Sequence, residues 1–80
     1  MSERARMLGE RVEYRQKMQG VAVRCDALKK QLRELCSPTL AALELDENAI
    51  LDTAAALHSE LNSLRALHKQ VAVLNSELGD

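Results

Sequence analysis

The chain has 80 residues, with 11 Lys+Arg against 12 Asp+Glu for a formal net charge of −1. Hydrophobic residues make up 46% and aromatics 1%, with three glycines and one proline. A chain this short builds at most one domain with a small core. So few turn residues and aromatics exclude a loop-rich fold and a compact β-fold, and the apolar fraction excludes simple disorder. The class that remains is all-α.

The N-terminal stretch Met1 to Arg6 is charged and leads into no apolar segment, so it does not read as a secretory signal. No run approaches the roughly 18–20 apolar residues that span a bilayer. Cys25 and Cys36 stand eleven residues apart. On one helix that is about 16 Å, too far for a disulfide. Unbridged thiols without a signal fit a cytoplasmic location.

The first predicted element is a helix over about residues 3–36. Met18, Val21, Cys25, Leu28, Leu32 and Leu35 alternate spacings of three and four, the seam of a coiled coil. Extended backwards, the seam takes in Tyr14 and Met7 but meets Arg11 and Arg4. Gly9 and Gly20 each cost about 1 kcal/mol against alanine in a helix interior. The first dozen or so residues are therefore expected to be less regular.

Ser37-Pro38 breaks the chain, because proline donates no hydrogen bond and disfavours helix at the residue before it. Residues 37–45 are expected to carry a short helical turn near Thr39 to Leu43. A second helix over about 46–78 follows, with Asp46 as N-cap and Leu45 stapled to Ile50. Gly79 closes it at C′. A continuous helix from Pro38 is the alternative.

Along the segment after the proline, Leu40, Leu43, Ile50, Ala54, Leu57, Leu61, Leu64, His68, Val71, Asn75 and Leu78 keep three-four spacing, with Glu47 the one charged interruption. Leu67 and Leu74 form a second row beside it, with Leu51 and Ala72 on the other flank. Asn75 and His68 fall on the seam. A buried Asn there fixes register; a C-terminal end projecting beyond its partner leaves both wet.

Residues 1–36 hold nine basic and five acidic residues, a net of +4, and residues 37–80 hold two and seven, a net of −5. The expected fold is thus an antiparallel, coiled-coil-like helical hairpin turning near residue 41. Leu32 then faces Ile50, Cys25 lies near Leu57 and His58, and Tyr14 reaches His68. The second row would be left in water, and two copies face to face would bury it in a four-helix bundle. The expected partner is a second copy, making a homodimer, or another helical protein. The expected interface is Leu51, Leu57, Leu61, Leu64, Leu67, Val71, Leu74 and Leu78.

Other chemistries find little footing. His58 and His68 are ten apart, where chelation from one helix needs three or four. No metal site or cofactor is expected. Two helices offer no pocket for a nucleophile, base and orienting group, so no catalytic residues are assigned and the protein is expected not to be an enzyme. The rival reading is a small dimeric nucleic-acid-binding regulator that tracks phosphates with Arg11, Arg15, Arg24, Lys29, Lys30 and Arg33. Against it stand the acidic second half and a single aromatic, Tyr14, for base stacking.

Overall fold

The computed structural model describes residues 2–79; Met1 and Asp80 lie outside the described residues. Helix α1 runs Glu3–Leu35 and helix α2 runs Glu47–Leu78, joined by a break that contains a 3-10 turn at Ala42–Glu44. The helices pack against each other as a hairpin. Its extents of 61 × 18 × 14 Å describe a rod one helix pair thick.

Each end has a local cause. Ser2 caps α1, its side chain accepting the Ala5 N–H at 3.0 Å. Past Leu35, the Leu40 N–H donates to the Ser37 carbonyl at 3.1 Å, closing a turn with Pro38 in its second position. The Glu44 carboxylate accepts the Ala41 N–H at 3.4 Å and braces the 3-10 turn. Asp46 caps α2 through the Ala49 N–H at 3.0 Å. Gly79 ends α2 at φ 78°, the left-handed conformation that glycine adopts without strain.

Two expectations are corrected here. The start of α1 is not irregular: it is helical from Glu3. The Ser2 cap, the pairing of Arg6 with Glu3 and Glu10, and the inward positions of Met7 and Arg11 outweigh the cost of Gly9. The short turn lies at Ala42–Glu44 rather than at Thr39 to Leu43, because the Ser37–Leu40 turn occupies the residues just after proline.

The core is a single seam. On α1 it holds Met7, Arg11, Tyr14, Met18, Val21, Cys25, Leu28, Leu32 and Leu35, all buried or half-buried. On α2 it holds Ile50, Thr53, Leu57, Glu60, Leu64, Leu67, Val71, Leu74 and Leu78, likewise. Val21, Cys25, Thr53, Val71, Leu74 and Leu78 are the most deeply placed, yet among the described residues no side chain is wholly sealed from solvent.

The α2 seam corrects the expected rotation of that helix. The shared positions Ile50, Leu57, Leu64, Val71 and Leu78 can be completed by Thr53, Glu60, Leu67 and Leu74, or by Ala54, Leu61, His68 and Asn75. The chain takes the first set. Burying Leu67 and Leu74 is worth about 1.5–3 kcal/mol each, whereas the second set would bury an imidazole and an amide. Leu67 and Leu74 therefore do not form an outward row. His68 and Leu51 are exposed, and Leu43, expected on the same stripe, stands fully in water at the tip.

Candidate interaction face

Residues two apart on a helix differ by about 200° in direction, so neighbours along the chain serve opposite sides of the hairpin. On one side Arg24 crosses to Glu60, Nε to carboxylate, at 3.1 Å. Further along that side Lys17 Nζ lies 5.6 Å from the centre of the Tyr14 ring. Arg24–Glu60 bridges the two helices on this side, and the Lys17–Tyr14 contact lies within α1.

The other side is open at mid-length and is bridged toward the chain ends, where Arg15 reaches Asn75 at 3.5 Å. Met18, Gln19 and Ala22 of α1 and Leu61, Leu64, Arg65 and His68 of α2 line a groove of about 710 Å³ at mid-length. Its walls are the residues that the chosen rotation leaves half out: Leu61, in the row not taken for the seam, is half-buried. Nearer the tip, Ala42, Leu43, Leu45, Glu47, Ile50, Leu51 and Ala54 line a second concavity of about 470 Å³. Ala54 and Leu61 are seven apart, two helical turns, so both concavities share one flank of α2. Leu45 and Ile50, the expected staple, border the same hollow.

The expected interface residues thus divide. Val71, Leu74 and Leu78 are buried in the hairpin itself, Leu57 and Leu67 are half-buried on its seam, Leu61 and Leu64 border the groove, and Leu51 is 67% exposed. Leu51, Leu61 and Leu64 remain available to another surface; Leu74 does not. Sequence reasoning placed Met18 in the seam only and assigned Ala22 nowhere. The signal for Ala22 was its three-four spacing from Met18 on the flank of the seam.

The two polar residues expected on the α2 seam both lie off it and separate as well, with His68 exposed. Asn75 is half-buried, and its side-chain oxygen accepts from Arg11 at 3.0 Å and from Arg15 at 3.5 Å. Arg4 donates to the Leu78 carbonyl at 3.2 Å, one of the orphan carbonyls at the helix end. The arginines that interrupt the α1 seam therefore fasten the C-terminus of α2. The pairs Arg4–Leu78, Arg24–Glu60 and Arg11–Asn75 put the midpoint of the fold-back between residues 41 and 43.

The basic residues do not converge. Arg11 and Arg15 meet Asn75 near the open end, and Arg24 is paired with Glu60 on the opposite side from the groove. Lys29 Nζ is 3.7 Å from Asp26, and Lys30 and Arg33 border a hollow beside Glu34 and Pro38 at the tip end. Arg11 and Arg33 are about 33 Å apart along α1. At the start of that helix, the hydrogen bond from Arg6 holds the Glu3 carboxyl below the usual glutamate range.

Among the described residues, no three His, Cys, Asp or Glu side chains gather at metal-binding range. Cys25 is buried and Cys36 exposed, both as thiols. Among the described residues, no helix is long and apolar enough to cross a membrane. Compared with known proteins, the chain matches no family model, and no curated protein and no solved structure is significantly similar to it.

Proposed function

We propose that the chain is a non-enzymatic helical interaction module that self-associates or docks another helical protein through its groove side. The observation that carries this reading is the asymmetry of the hairpin. At mid-length one side is bridged by Arg24–Glu60, while the other presents Met18, Ala22, Leu61 and Leu64 around an open groove. A second hairpin laid on that side would make a four-helix bundle and take the half-exposed leucines out of water. Tip residues Leu43 and Leu51 extend the same apolar strip.

A photo-crosslinking side chain at Ala22 tests the reading, with the same group at Ala27 as control. Discrete adducts from position 22 alone, together with a sedimenting mass above 8.9 kDa or a defined partner band, support it. A chain that sediments as one copy and gives no adduct from position 22 overturns it.

A further inference from the structure

We infer that the occupant of the groove is an amphipathic helix of another protein whose apolar stripe is flanked by carboxylates, rather than a second copy of this chain. The inference rests on the docking reading above and adds the chemistry of the partner.

The area argument says that something of this size belongs there. A compact monomer of 8.9 kDa exposes about 4,800 Å² by the usual mass scaling. This chain exposes 6088 Å². The excess, about 1,300 Å², exceeds the roughly 800 Å² that each partner contributes to a standard interface. One long helix in the groove gives a three-helix bundle and reaches that size.

Charge says which helix. The groove is lined by one cation, Arg65, and by no carboxylate. Arg65 has no ion-pair partner among the described residues. Arg15 and Lys29 stand seven residues before and after Ala22, so they continue its row along α1 in both directions. The acid nearest that row, Asp26, already lies beside Lys29. At mid-length the groove is therefore an apolar trough with Arg65 on one wall and Arg15 and Lys29 along the other, and Glu47 is the acid at its tip end. A two-fold pairing of this side with itself sets the Arg65, Arg15 and Lys29 of one copy against the same set of the other, which is repulsive. A helix carrying Glu or Asp beside its leucines offers carboxylates to the Arg65 guanidinium and satisfies both features.

Two synthetic peptides of 21 residues provide the test. They share one heptad seam of leucines and differ only in carrying glutamate or lysine at the flanking positions. Anisotropy of the labelled peptides against the intact protein at low salt reads the affinities. The glutamate peptide is expected to bind at least tenfold tighter. The preference should invert in the double variant Arg15→Glu with Arg65→Glu; both positions are exposed, and although the 3.5 Å Arg15 contact to Asn75 is given up, Asn75 keeps its 3.0 Å bond from Arg11. Equal binding of the two peptides, abolished by Leu61→Asp, overturns the charge inference while the docking reading survives. A lysine preference also overturns it. If neither peptide binds and the chain sediments as a dimer that Leu61→Asp dissolves, the occupant is a second copy and this inference falls.

Discussion

Glu60 occupies a seam position of α2 and sends its carboxylate sideways to Arg24 of α1, 3.1 Å away. An acid at such a position is tolerated because the stem lies on the seam while the charge reaches the rim, where it meets a cation. Arg24 is 58% exposed, so water screens the pair. A double-mutant cycle on Arg24→Ala and Glu60→Ala in urea should return a coupling of about 0.2–1 kcal/mol. A coupling well beyond that interval would mean that the pair, and not the leucines, sets the rotation of α2.

The rotation itself is open to measurement. Leu74 is buried at 7% exposure, and Leu61 is only half-buried on the groove wall. Leu74→Ala should destabilise the hairpin by about 2–5 kcal/mol, and Leu61→Ala by less than half as much. Urea midpoints of the single-copy protein decide between the two rows. The reverse order of costs would turn α2 by one position.

Asp46 holds the first turn of α2 by a single 3.0 Å bond to the Ala49 N–H. Asp46→Ala should cost about 1 kcal/mol, and Asp46→Asn much less, because the amide oxygen still accepts. Thermal melts of the two variants would separate a cap from a mere charge at the helix start.

The Arg6 hydrogen bond lowers the Glu3 carboxyl. A lowered acid stabilises the fold above its unfolded value and loses that contribution as pH falls through the folded value. The first turn of α1 should therefore hold at neutral pH and loosen only on strong acidification. Carbon-detected NMR titration should show Glu3 below the usual glutamate range. In Arg6→Ala it should return to the usual glutamate range, and an unmoved midpoint would remove Arg6 as the cause.

The two thiols differ in access, with Cys25 at 4% exposure and Cys36 exposed. A thiol reagent should modify one equivalent quickly and the second only at the rate of opening of the hairpin. Equal rates at both would contradict the inward placement of Cys25.

How far the sequence could be read depends on how many answers its pattern allows. Met18 to Leu35 permits one apolar line, and α1 buries that line. Pro38, Asp46 and Gly79 act within a few residues of themselves, so the break, the cap and the stop are visible without any fold. The second helix was ambiguous because leucines lie on both candidate rows: Leu61 on one, Leu67 and Leu74 on the other. Only the comparison of whole rows, with His68 and Asn75 counted as costs, selects between them. The unbroken alternation from Ile50 through Thr53, Leu57, Glu60 and Leu64 to Leu78 was present but masked by a threonine and a glutamate. Arg11 and Arg4 looked like faults in the α1 seam because their acceptors, Asn75 and the Leu78 carbonyl, are more than sixty residues away in the chain. The groove side could not be foreseen for the same reason, since it consists of what the chosen rotation leaves uncovered.

Three of the four most deeply placed residues of α2, Val71, Leu74 and Leu78, lie at its far end, where they meet the start of α1 and Arg4 and Arg11 hold the helix ends together. The molecule is thus clasped where its termini lie. A protease that nicks the bend near Leu43 would sever the backbone but not the clasp, and the two fragments should travel together until a denaturant parts them.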